Sequence, residues 1–225
     1  MAAVEAPNLP RRTDLPKRDA EARAHLYAAA SRAASPVLAR DRVLAVAGEI
    51  GQLLPAGGVR RGATLALDGP VGAGSTTVAC ALAAAATSAG EWAAVVDPDS
   101  TFGARAAASA GVALERCAIV RNVSADRWST VVAALLEGTT VVIANTGAIR
   151  PRAGDARRLI ARARERASVL VVVGAWPVEA AIRLHAHGGT WRGLGVGTGL
   201  LDGRDLDVQV EAKERHDAHR VRLVS

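Results

Sequence analysis

TLALDGPVGAGSTTVACAL, residues 64–82, decides how the rest of the chain is read. A short apolar run opens it, and glycines follow at positions 69, 72 and 74. Thr76 and Thr77 then begin an alanine-rich stretch with no helix breaker before Gly90. That order predicts a strand, a tight loop and a helix. From Gly69 to Thr76 the spacing fits the phosphate-binding template G-x-x-x-x-G-K-[ST] at every position but one. Ser75 stands where the template has lysine.

In such a loop, backbone N–H groups and the positive end of the helix hold phosphate oxygens. Glycines let the backbone curl close enough to do so. The lysine adds a full charge, worth about 4 kcal/mol at about 4 Å and an effective dielectric of about 20. The helix terminus supplies at most about 2 kcal/mol. Without the lysine, affinity falls by about three decades, at about 1.4 kcal/mol per decade. Two readings stay open. Gly69, Gly72, Gly74, Ser75, Thr76 and Thr77 cradle a nucleotide such as Mg-ATP, or the loop is a strand-to-helix turn with no ligand.

Outward from this stretch, the pattern is repetitive. Short apolar runs at 92–96, 118–120, 140–144 and 168–173 alternate with helical segments at 102–110, 125–136 and 154–167. Runs of that kind, bounded by turn signals, suit buried parallel strands. The alternation predicts an α/β fold with a largely parallel sheet flanked by helices. Ser124 is placed to cap the helix that follows it. Residues 43–54 read as helical or mixed, ending before Pro55, and residues 191–199 as a glycine-rich loop. The alternating runs LDVQV (206–210) and RVRLV (220–224) predict a closing antiparallel hairpin.

The N-terminal 16 residues carry three prolines and read as a mobile tail; residues 17–34 lack Pro and Gly and read as a helix, ended at Ser35-Pro36. Residues 1–40 are thus a tail and helical arm, and residues 41–225 one core including the hairpin. The arm suits either self-association or capping of its own domain.

Composition sets bounds. The chain has 225 residues, half of them hydrophobic but only 3% aromatic, so its core is built of Ala, Val, Leu and Ile. Trp92, Trp128 and Trp176 are expected inside, and Trp191 exposed. Twenty-eight basic residues against 22 acidic ones permit an acidic or nucleic-acid partner without requiring one. Lys17 and Lys213 are the only lysines. Two isolated cysteines, Cys80 and Cys117, suggest a reduced intracellular protein in which both are small core residues. The N-terminus has no apolar core of a signal peptide, and no run is long enough to span a membrane. Cytoplasm, in association with the nucleoid, is the expected location.

His185, His187, His216 and His219 are expected to be exposed histidines rather than metal ligands, because no other ligand cluster supports them. No nucleophile system is recognisable. Arg158, Arg162 and Arg166, spaced by four on the 154–167 helix, form a candidate stripe for DNA phosphates or an acidic partner, or a solvated helix face.

The order of these pieces resembles the RecA-like ATPase core over about residues 40–225, on the strength of residues 39–78 around the loop, VVDPDS (95–100) and TTVVIANTGAIRP (139–151). More narrowly, the chain resembles actinobacterial ImuA-type proteins. That resemblance implies an accessory role in SOS-induced mutagenesis and DNA repair. Its partners would be an inactive Y-family polymerase homologue and an error-prone C-family polymerase in translesion synthesis. It also implies Asp99 as the catalytic carboxylate, Thr76 as a Mg²⁺ hydroxyl ligand, and a Mg²⁺-holding aspartate at Ala144 or Asn145. Neither of the last two is acidic. With Ser75 in place of lysine, two of three charged parts of the ATPase are absent. A non-enzymatic scaffold without cofactor, with no catalytic residue, is one expectation; a nucleotide-dependent DNA-associated ATPase or switch is the other.

Overall fold

The computed structural model describes residues 42–193 and 203–212 in full, and residues 215–224 through their backbone. The expected N-terminal tail and helix lie outside the described residues. From Val43 onward the chain forms one compact unit.

Two layers of helices cover one sheet. In chain order the elements are β1 (Val43–Ala45), α1 (Gly48–Leu53), β2 (Gly58–Arg60), β3 (Thr64–Asp68), α2 (Ser75–Ser88), β4 (Ala93–Asp97), α3 (Ala104–Ser109), β5 (Cys117–Arg121), α4 (Ala125–Leu136), β6 (Val141–Asn145), α5 (Ala153–Arg166), β7 (Val169–Val173), β8 (Ile182–Arg192), β9 (Gly203–Ala212) and β10 (Arg215–Val224). The main sheet runs β10-β9-β8-β3-β7-β6-β4-β5. β8, β3, β7, β6, β4 and β5 are parallel, whereas β9 runs antiparallel to β8 and β10 antiparallel to β9. β1 and β2 make a separate antiparallel pair. The α/β class, the mostly parallel sheet and the C-terminal hairpin are therefore as the sequence predicts.

Covering both faces explains the continuous apolar strands. On one face Leu65, Leu67, Val95, Ile143 and Val171 pack with α2. On the other, Ala66, Val142, Ala144, Leu170 and Val172 pack with Trp128, Val132 and Leu136 of α4 and Leu159 of α5. α2 sits close to the sheet because its inward positions are mostly small: Ala79, Cys80, Ala83 and Ala86 are all buried beside Val78 and Leu82. Buried Ser168 joins the helix ends, donating to the carbonyls of Leu136 (3.0 Å) and Thr139 (2.8 Å).

Residues 43–54 are mixed: β1 is followed by α1, which Gly48 opens at a left-handed φ of 71°. Two expectations need correction. Trp191 and Arg192, read as the start of a glycine-rich loop, instead end an eleven-residue strand, β8. Its glycines hide the alternation: the register shifts between Ala186 and Gly188, as at a bulge. Trp92 is half exposed rather than core, since it precedes β4 at the surface. Trp128 and Trp176 are buried and Trp191 is exposed. Among the described residues no helix is long and apolar enough to cross a membrane.

Candidate functional site

The glycine-rich loop joins β3 to α2 at the carboxyl end of the parallel strands, where open α/β sheets bind ligands. Gly69, Gly72 and Gly74 form the turn, Ser75 opens α2, and Thr76 and Thr77 complete its first turn. The N–H of Ala73 donates to Pro70 O (3.0 Å), and that of Thr77 to Gly74 O (2.9 Å). Among the described residues no backbone carbonyl accepts from Ser75 or Thr76 N–H, as is normal for a helix start. The Ser75 hydroxyl donates to the carbonyl of Asp68 (3.3 Å). Thr76 is exposed.

The β8–β9 ribbon lies against this loop. Gly69 packs on the backbone carbonyl of Ala186 in β8, too tightly for any Cβ. Gly74, at φ +113°, sits beneath Leu206 of β9. Arg204, also on β9, donates to the carbonyl of Gly72 at 2.5 Å. The same guanidinium lies 4.8 Å from the centroid of the Trp191 ring on β8. Val71, at the tip, is fully exposed.

The two carboxylates at and just past the end of β4 have different surroundings. Asp99 is an exposed turn residue lying against Gly147. The carboxylate at the end of β4 is Asp97, wholly buried. Its Oδ1 accepts from Thr101 N (3.0 Å) and its Oδ2 from Phe102 N (2.9 Å). Arg121 Nε stands 3.7 Å from Oδ2. Asp97 thus closes the turn that follows its own strand. Ala144 is buried among the α4–α5 side of the core. Asn145, the last residue of β6, donates to Thr101 Oγ1 (3.2 Å) and accepts from Gly147 N (3.1 Å). The polar groups at the ends of β4 and β6 therefore serve the turns that follow those strands.

A second cluster escaped the sequence reading. Asp68, at the end of β3, pairs with Arg183 (3.2 Å) and with His185 Nδ1, both on the neighbouring strand β8. Glu211 of β9 stands 3.6 Å from His185 Nε2. His185 is thus half-buried between two carboxylates rather than a plain surface residue, while His187 is exposed. The side chains of His216 and His219 lie outside the described residues. No group of three or more potential metal ligands occurs among the described residues. The local sequence holds no signal for Arg183, Arg204 or Glu211, because each depends on β8 and β9 being strands beside β3.

The arginine stripe of α5 is largely paired. Arg158 meets Asp155 (3.1 Å), and Arg162 and Arg166 both meet Glu137 of α4 (2.7 and 2.6 Å). Elsewhere Arg61 grips Glu91 through two bonds (2.6 and 3.0 Å), and this holds the Glu91 carboxyl below its ordinary range. Burial, with a smaller contribution from Cys117, pushes the Cys80 thiol up to about 11, and burial also raises Cys117. Neither is a ready nucleophile.

No curated protein matches the chain. A family model described as the MT3502 N-terminal domain matches residues 52–178, from α1 through the phosphate-like loop to the segment after β7. That match covers more than half of the chain, which therefore belongs to the MT3502 N-terminal domain family.

Proposed function

We propose that this chain is a non-enzymatic accessory protein with a RecA-like core, acting in a damage-induced translesion synthesis complex, its phosphate loop kept as a structural turn. The observation that carries the reading is the occupation of the loop from outside: Arg204 takes the Gly72 carbonyl and Leu206 covers Gly74. The groups that Mg-ATP hydrolysis needs do not fit either. Ser75 brings no charge and bonds to Asp68 O, Asp97 is sealed in its turn, and Asn145 is neutral and engaged. What remains is a rigid sheet-and-helix platform that presents Trp191, Trp92 and Val71 to solvent. Exposed aromatic residues of this kind suit protein contacts. The partners in this reading are the inactive Y-family polymerase homologue and the error-prone C-family polymerase, with self-association and a nucleoid-associated cytoplasmic location.

A second reading is a nucleotide-dependent switch or ATPase of the RecA family. One observation favours it: Arg204 puts a guanidinium at the loop that lacks its lysine. Calorimetry with Mg-ATP separates the two. The scaffold shows no binding at millimolar nucleotide, and Ser75→Lys adds no phosphate release. Micromolar binding that disappears in Arg204→Ala favours the switch. Co-purification tests the assembly: no association with either polymerase overturns the accessory role.

A further inference from the structure

We propose that Arg60, Arg157 and Arg164 form a surface that binds the phosphate backbone of double-stranded nucleic acid. The three side chains come from separate parts of the chain. Arg60 ends β2, and the tight turn after it is closed by Ala63 N donating to Arg60 O (3.0 Å). Gly62 in that turn abuts α5: a Cβ there would lie 3.1 Å from Arg164 Cα. Arg157 lies seven residues before Arg164, two helical turns and about 10.5 Å along the same face. All three are exposed, and none of their side chains has a hydrogen bond or ion pair among the described residues.

Their neighbours are already neutralised. Arg61 is held by Glu91, Arg158 by Asp155, and Arg162 and Arg166 share Glu137. Arg162 also stands 3.7 Å from Glu165, so the two guanidinium groups on Glu137 are balanced by two carboxylates and the unpaired charge rests on Arg60, Arg157 and Arg164. Arg164, in the last turn of α5, gains from the helix dipole. That does not account for Arg157 in mid-helix or Arg60 on the turn.

The chemistry of the patch selects its occupant. Arginine presents a planar fork that matches phosphate oxygens in pairs. Between the three lie Ala161 and Gly62, which offer neither a ring for stacking unpaired bases nor an apolar anchor for a folded partner. A surface of charge without anchors suits sequence-independent contact with a duplex backbone. It lies at the β2–β3 turn, near the amino end of β3 and away from the phosphate-like loop, so the inference stands whether or not that loop holds a nucleotide.

The test is fluorescence anisotropy of the whole protein with a labelled duplex of about 20 base pairs. Three phosphate contacts give a log–log salt slope of about −2.7, or about 40-fold weaker binding between about 50 and about 200 mM salt. The triple variant R60Q/R157Q/R164Q is expected to flatten that slope, and each single variant to lower it by about one unit. Arg158→Gln, whose partner is Asp155, serves as the control and changes the slope little. The single variants Arg157→Gln and Arg164→Gln, both on an exposed helix face, read the slope if the triple variant does not fold. No duplex binding by the wild type at about 50 mM salt overturns the proposal. So does unchanged binding by a triple variant with wild-type melting, and so does capture of poly-glutamate in preference to duplex, which assigns the patch to an acidic protein.

Discussion

Leu206 lies over Gly74 so closely that a methyl group added to Gly74 would come within 2.7 Å of Leu206 Cδ2. Leu206 is wholly buried, and Gly74 has φ +113°, a conformation that side chains rarely adopt. Gly74→Ala is therefore expected to cost about 2–4 kcal/mol, from backbone strain and overpacking together. Leu206→Ala alone costs about 2–5 kcal/mol through the cavity it leaves. The double variant should fall short of the sum by about 1 kcal/mol, because truncating Leu206 removes the clash but not the strain. Urea unfolding of all four proteins measures this, and additivity within about 0.3 kcal/mol would show that the two residues do not meet.

Arg204 has two tasks, and its removal should register in two ways. Arg204→Ala frees the Gly72 carbonyl and uncovers one face of Trp191. The bond is solvent-exposed, so a loss of about 1 kcal/mol is expected rather than the full value of a charged hydrogen bond. Hydrogen exchange of the loop amides should quicken, and tryptophan emission should shift as Trp191 loses its cation. Arg204→Lys keeps the charge without the planar fork, and should restore part of the loop protection.

Asp97 and Asp99 make a contrasting pair. Asp97→Ala strands the buried N–H of Phe102 and the partly buried N–H of Thr101, and is expected to cost about 3 kcal/mol. Asp97→Asn costs less, since one side-chain oxygen remains to accept. Asp99→Asn, on an exposed turn, should change stability by less than about 0.5 kcal/mol. Thermal melts decide the matter. A large effect at Asp99 with none at Asp97 would reverse the assignment of the buried carboxylate.

Stability should also fall in alkali, through Cys80. Its thiol is raised from the usual 9 to about 11 in the folded protein, chiefly by burial. A raised value means the fold holds the proton more tightly than the unfolded chain does. The contribution is complete below pH 9 and is lost as pH rises towards 11. Two units correspond to about 2.7 kcal/mol. Urea midpoints across that range should decline for the wild type and decline less for Cys80→Ala. Iodoacetamide should leave native Cys80 unlabelled at neutral pH.

The parallel half of the fold was legible because its strands are buried on both faces. VVIAN and VLVVV have no polar positions inside the core, so the apolar run itself marks the strand. β8 was not legible for the converse reason. IRLHAHGGTWR interleaves charge, glycine and aromatic residues, and its alternation breaks at the bulge after Ala186. Missing β8 hid everything that depends on it, including the Asp68–Arg183–His185 cluster and the cover over the loop. The strand, turn and helix start that carry the six loop residues were legible locally, but their surroundings come from more than a hundred residues away, as in the Arg204–Gly72 bond. Likewise the four-residue spacing of Arg158, Arg162 and Arg166 gave a true stripe, while Glu137, on another helix, decided how much of its charge is left.

The ribbon that covers the loop changes what its glycines mean. Gly69 is required by the carbonyl of Ala186 and Gly74 by the methyl groups of Leu206, with no phosphate in the account. A backbone carbonyl or a buried leucine pressed on the loop demands the same small residues that a bound anion would demand. In this chain the spacing of Gly69 and Gly74 is a measure of how close β8 and β9 come to the loop, whatever else the loop holds.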